Sequence, residues 1–147
     1  MSKTLPFETT HEVRDACLCL HSQRAARALA RRFDKAFQSL ELTNGQFSLL
    51  MSLNRPQPAP MGPVAQLLAM DRTTLTAMLK PLERRGLVTI SVGPADKRNR
   101  LLALTDAGRA LLATAMPIWR GTHAEIEAQL PGLDADGVRL ALNSLAA

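Results

Sequence analysis

The feature that most constrains this chain is the change of pattern on either side of Gly86. Before it, Leu75, Met78, Leu79 and Leu82 recur at i, i+3, i+4 and i+7, one face of a helix that Asp71 is suited to cap. After it come two strand-like runs, residues 87–91 and 100–104, separated by a turn-rich loop with bases at its tip. A helix is thus followed directly by a hairpin with a charged wing. Pro81 removes the backbone bond to residue 77, which predicts a bend in the last turn or two of that helix.

Upstream, residues 9–40 contain neither Gly nor Pro and are rich in Ala, Arg and Leu, so they read as one long helix. Leu18, Ala25, Leu29, Phe33, Ala36, Phe37 and Leu40 form its apolar stripe, with Arg24, Arg27, Arg31, Lys35 and Gln38 opposite. At 1.5 Å per residue it would span roughly 45 Å, more than a small domain needs, which implies a partner. Thr43 or Asn44 caps the next helix, with Phe47, Leu50, Met51 and Leu53 inward. Three prolines within residues 56–60 exclude helix there. A short helix over 61–68 follows, with Val64, Leu67 and Leu68 inward, and Ala69-Met70 form a turn. Downstream, Thr105 caps a helix carrying Leu111, Leu112 and Ala115, expected to bend at Pro117 and run to Leu130. Asp134 caps a last helix with Val138, Leu140, Leu142 and Leu145.

A chain of 147 residues, 46% of them apolar, is one domain with material for its own core. No apolar run approaches the ~18 residues of a membrane span, and the N-terminus lacks a signal peptide's apolar segment, so a cytoplasmic location is expected. The net charge of +5 is unevenly placed. Residues 71–109 hold eight basic and four acidic side chains, whereas residues 110–147 hold two and four. Such a balance suits a polyanionic partner bound through the helix and wing.

The order helix, helix, turn, helix, hairpin describes a winged helix-turn-helix, whose second turn helix enters the major groove while the wing reaches the minor groove or backbone. The outward stripe of helix 71–85 is Thr73, Thr76, Ala77, Lys80 and Arg84. Short hydroxyls and a methyl let the backbone approach base edges, Lys80 and Arg84 can neutralise phosphates, and Arg72 is best placed to read a guanine. The competing reading is a solvated helix face.

The stretch Asp71-Arg72-Thr73-Thr74-Leu75-Thr76, then Leu82-Glu83-Arg84-Arg85-Gly86-Leu87-Val88, Asp96-Lys97-Arg98, Leu104-Thr105 and Gly108 resembles the MarR family of bacterial transcription regulators, including its wing pattern of Asp, any residue, Arg, then Leu-Thr, two residues and Gly. The resemblance covers nearly the whole chain. It implies a mainly α fold with a small β-hairpin, a winged helix-turn-helix lobe over about 44–104, and dimerisation helices over about 9–40 and 105–147. It also implies a homodimer on a pseudo-palindromic double-stranded DNA site, with Arg98 entering the minor groove and Asp96 holding it. A narrow groove's negative potential favours an inserted guanidinium, and a neighbouring carboxylate can orient it. The expected DNA contacts are Arg72, Thr73, Thr74, Thr76 and Lys80 in the major groove, Arg84 on phosphate, and Asp96, Lys97, Arg98 and Arg100 at the flanks.

Members of such a family are released from DNA by a small, often aromatic and anionic effector or by cysteine oxidation. Candidate pocket residues are His21, Arg24, Arg27, Phe33, Phe47 and Met51, against the alternative that the Phe and Met residues are core and the Arg residues a solvated face. Cys19 falls where the organic-hydroperoxide-sensing branch places its reactive thiol, but this chain has no tyrosine, on which that branch relies. In an intact helix Cys17 and Cys19 point ~200° apart and cannot bond to each other, leaving redox sensing and inert packing as the two readings. Cys17 and His21, at i and i+4, are only half a metal site, so no metal is expected. No nucleophile–base pair, phosphate loop or carboxylate dyad stands at a recognisable spacing, so neither an enzyme nor a cofactor is expected. A winged module for protein interaction, without DNA binding, is the rival from another class.

Overall fold

The structure, a computed structural model, describes residues 4–147. Its helices are α1 (Phe7–Ala16), α2 (Leu18–Ala36), α3 (Asn44–Ser52), α4 (Met61–Leu67), α5 (Arg72–Arg84), α6 (Asp106–Ala128) and α7 (Ala135–Ala146). Three strands, β1 (Ala59–Pro60), β2 (Val88–Val92) and β3 (Arg100–Leu104), complete it.

The single helix expected over 9–40 is two helices and a turn. Cys17 is extended (φ −70°, ψ 109°), and its Sγ accepts the Leu20 N–H at 3.4 Å, capping α2. No glycine or proline announces this break, because a sulfur acting as cap acceptor leaves no mark on hydrophobic period. After α2 a 3-10 turn, Gln38–Leu40, ends at Glu41 in the left-handed region (φ 52°). The Arg85 guanidinium, just beyond α5, donates to the carbonyls of Glu41 (2.7 Å) and Leu40 (3.3 Å). This fastens the end of α5 to the junction between α2 and α3. Thr43 and Gln46 form a reciprocal capping box that starts α3.

The wing is part of a three-stranded antiparallel sheet, β1-β3-β2, rather than a bare hairpin. Val88 pairs with Leu104 and Val92 with Arg100, while Ala59 pairs with Leu102 and Pro60 with Leu101. The proline loop thereby supplies an edge strand, the one sheet position where a residue without N–H costs little. The core lies between this sheet and α2–α6: Phe37, Leu49, Leu50, Val64, Leu75, Leu79, Leu82 and Leu102 are fully buried. Leu67, expected inward, is 65% exposed, and Ala65 takes the buried position on α4. Met78 is half-buried.

Gly108 has a steric reason. A Cβ there would run into the carbonyl oxygen of Leu87. Thr105 binds the same corner, its N–H donating to Leu87 O (3.1 Å) and its hydroxyl to Gly86 O (2.6 Å), while its oxygen accepts the Gly108 N–H (3.0 Å). The Leu-Thr-x-x-Gly pattern is therefore the joint that seats α6 against the sheet. α6 runs through Pro117 without interruption, and α5 continues past Pro81 to Arg84. Neither α1 nor α7 buries a residue in the protomer; Phe7 is 68% exposed, and Leu140 and Leu145 are 69% and 59% exposed. Among the described residues, no helix is long and apolar enough to cross a membrane.

Candidate nucleic-acid interface

α5 starts at Asp71, whose Oδ1 accepts the Thr74 N–H at 2.7 Å and whose Oδ2 accepts the Thr74 hydroxyl at 3.0 Å. These bonds hold the Asp71 carboxyl below its ordinary value. The Thr76 hydroxyl donates back to Arg72 O at 2.8 Å. Both threonine protons are therefore used locally, leaving their oxygens as acceptors and their methyls as contact surface.

With Leu75, Leu79 and Leu82 buried, Arg72, Thr73, Thr76, Ala77 and Lys80 line an open groove of about 360 Å³ on the opposite face. A second depression of about 270 Å³ lies beside it, where Arg72 and Thr76 meet Arg98, Asn99 and Arg100 at the wing and the first turn of α4. Of the ten expected DNA-contacting residues, Arg72, Thr73, Thr76, Lys80, Arg98 and Arg100 are thus brought onto one continuous surface. Arg84, a turn beyond Lys80, and Lys97, at the wing tip, are exposed but line neither groove; Thr74 serves the cap.

Asp96 sits differently from the expectation. Its Oδ1 accepts the backbone N–H of Arg98 at 2.9 Å, and no ion pair joins the two side chains among the described residues. The carboxylate shapes the wing turn and leaves the guanidinium free. The Gly93 N–H donates to Asn99 O (2.9 Å) and the Asn99 N–H to Asp96 O (3.1 Å), closing that turn. Arg100 Nη1 donates to Lys97 O at 2.9 Å. Among the described residues, Arg72, Lys80, Arg84, Lys97, Arg98 and Arg100 make no ion pair. The face is a cationic surface whose basic side chains are not ion-paired among the described residues, its carboxylates Asp71 and Asp96 being bonded to Thr74 and to the Arg98 N–H.

Residues 42–99 match the family model of the MarR family. The chain is 38% identical to the M. tuberculosis transcriptional regulator MosR in complex with DNA, covering 88% of this chain and 93% of that one, with a TM-score of 0.81. The chain belongs to the MarR family. It is also 30% identical to a transcriptional repressor, CouR, bound to a 23-mer DNA duplex, over 99% of this chain and 97% of that one, with a TM-score of 0.73. The organic hydroperoxide resistance transcriptional regulator of Bacillus subtilis is 29% identical over 101 residues, 69% of each chain.

As a MarR-family protein the chain has the expected winged lobe, but the single effector pocket of the sequence reading is divided. His21, Arg24 and Arg27 line a concavity of about 540 Å³ on the outer face of α2. Phe47 and Met51 line another, about 420 Å³, between α3, α4 and α6 with Leu68, Met116 and Trp119. Phe33 belongs to an aromatic ladder, stacking on Phe37 at 5.9 Å, which stacks on Phe47 at 4.8 Å. At 100° per residue, Phe33 lies about 120° around α2 from His21 and Arg27 and about 180° from Arg24, so the helix turns Phe33 away from the cavity that those three line. Met116 and Trp119 were missed as lining; the sole tryptophan on an otherwise small-residue stretch of α6 was the available signal.

Cys19 is exposed, and its Sγ lies 3.1 Å from Gln23 Nε2; Cys17 is half-buried. Because the helix breaks at Cys17, the opposite-face argument that kept the two thiols apart does not hold. His21 Nδ1 lies 2.7 Å from the carbonyl oxygen of Cys17, so its ring faces the backbone and not the sulfur. No group of three potential metal ligands is found among the described residues.

Proposed function

We propose that the protein is a cytoplasmic, non-catalytic, sequence-specific DNA-binding regulator, repressor in type, that acts as a homodimer on a pseudo-palindromic operator. The observation that carries this reading is the cationic face shared by α5 and the wing, held by caps and turns, whose basic side chains make no ion pair among the described residues. α5 presents Thr73, Thr76, Ala77 and Lys80 to base edges and phosphates, with Thr74 holding its N-terminus and Arg84 reaching the backbone at its far end. The wing sets Lys97, Arg98 and Arg100 beside the adjoining minor groove. The unburied apolar residues of α1 and α7 supply the surface that a second copy covers. The apolar cavity lined by Phe47, Met51, Met116 and Trp119 suits a small aromatic effector. A mobility-shift titration on the protein's own upstream intergenic DNA tests this. Saturable binding that resists unrelated duplex and weakens steeply with salt is expected; equal affinity for unrelated duplex would overturn it.

A second reading is favoured by the exposure of Cys19 beside the break at Cys17, and by the similarity to the hydroperoxide resistance regulator. In it the Cys19 thiolate attacks an organic hydroperoxide, taking one oxygen to form the sulfenic acid while the alkoxide leaves and is protonated to the alcohol. Hydroperoxide that releases wild type from DNA but not Cys19→Ser supports this reading. Release of both proteins, or of neither, rules it out.

A further inference from the structure

The depression between α5 and the wing gathers three guanidinium groups, those of Arg72, Arg98 and Arg100, around about 270 Å³ with no carboxylate on its lining. The nearest acids in sequence are occupied: Asp71 accepts two bonds from Thr74, and Asp96 accepts the Arg98 N–H. Three like charges facing one space repel one another, and an oxyanion placed there turns that cost into attraction. Two of the three are braced. Arg72 Nη2 lies 3.5 Å from where a Cβ on Gly62 would stand, so its guanidinium rests against the first turn of α4 instead of projecting past the end of α5. Arg100 is tied by its bond to Lys97 O. The Arg98 guanidinium makes no hydrogen bond among the described residues.

Resting on the DNA-binding reading above, we propose that Arg72 and Arg100 form a clamp for one phosphodiester of the DNA backbone, at the point where a strand passes from the groove read by α5 to the groove beside the wing. Arg72 is then a phosphate ligand and not a reader of guanine, and Arg98 alone of the three remains free to enter the minor groove. A guanidinium presents five N–H donors in a planar fork, and Arg100 spends one of its five on Lys97, so the pair has ample capacity for the two non-bridging oxygens of a phosphate. One phosphate bound from both α5 and β3 also fixes the wing's position relative to the reading helix.

The test is an anisotropy titration of the full chain on operator duplexes that each carry one neutral methylphosphonate linkage, stepped across a half-site, with wild type, Arg72→Ala and Arg100→Ala. One linkage per half-site is expected at which neutralisation weakens wild type about tenfold, and at that same linkage the loss should be smaller for each variant, which keeps only one of the two guanidinium contacts. Each variant should lower the salt slope by no more than about 1, since both arginines serve one phosphate, and should weaken all base variants of the operator alike. The clamp is overturned if Arg72→Ala and Arg100→Ala become insensitive to different linkages, or if Arg72→Ala relaxes preference at one base pair while every linkage keeps its effect. Inorganic phosphate competes in the same assay at constant ionic strength. If it displaces DNA from wild type while no single linkage matters, the pocket serves a free anion and the phosphodiester assignment is lost. Failure of wild type to prefer its operator at all would instead remove the regulator reading on which the clamp depends.

Discussion

Gly108 shows how one residue ties wing to scaffold: any side chain there meets the Leu87 carbonyl, and Thr105 already binds both Leu87 and Gly86. Gly108→Ala should therefore destabilise the fold by ~1–3 kcal/mol through overpacking, read as a lower urea midpoint; an unchanged midpoint would show that the corner yields. Asp71 acts by charge. Because its carboxyl is held below its ordinary value by Thr74, its contribution is fully present above that ordinary value and is lost as pH falls through the depressed one. Asp71→Asn keeps a cap acceptor and removes the titration, so the stability gap between wild type and variant should close between neutral and acid pH in paired denaturation curves. Lys97, exposed at the wing tip with no carboxylate partner among the described residues, should contribute one backbone contact; Lys97→Ala is expected to lower the salt slope of DNA binding by about 1, with base preference unchanged. Caps were legible because they are local, set by side chains three residues or fewer apart, and the wing motif because its residues stand at a fixed spacing from Asp96 to Gly108. The target of Asp96 was not: a spacing of two residues fits a bond to the Arg98 backbone as well as one to its guanidinium.

At the scale of elements, period and capping located nearly every helix, since Leu75, Leu79 and Leu82 or Phe47 and Leu50 have only one way to share a face. Two features escaped. The break at Cys17 depends on a sulfur accepting Leu20 N–H, and β1 depends on Leu101 and Leu102, some forty residues away, offering an edge to a proline segment. The division of the pocket escaped for a related reason: α3, α4 and α6 meet only in the fold. The resulting cavity carries its own probe. Trp119 lines it, and the chain holds no other tryptophan. A small aromatic acid such as salicylate should quench Trp119 emission saturably. Met51→Trp, which fills the space with a second indole, should abolish binding in calorimetry; equal binding to the variant would place the effector elsewhere.

The molecule as a whole is two unequal surfaces on one core. One is cationic and polar, made by α5 and the wing; the other consists of the apolar side chains that α1 and α7 each leave unburied. The ~45 Å helix from which a partner was expected is broken at Cys17, and what the protomer shows instead is that α1 and α7 leave Phe7, Val13, Leu140 and Leu145 in water. Sedimentation should therefore give about twice the protomer's 16.0 kDa, and the double charge substitution Leu140→Asp with Leu145→Asp should yield a folded monomer with greatly weakened operator affinity. A dimer unaffected by both charges would move the interface away from α7. Dimerisation and DNA reading are joined in one observable, the spacing of protected DNA. A hydroxyl-radical footprint of the protein on its upstream intergenic DNA should show two protected stretches related by a dyad, their centres about one helical turn, ~10 bp, apart. Protection of a single half-site, or protection no different from that of an unrelated duplex, would contradict a two-fold regulator that reads its operator through α5 and the wing.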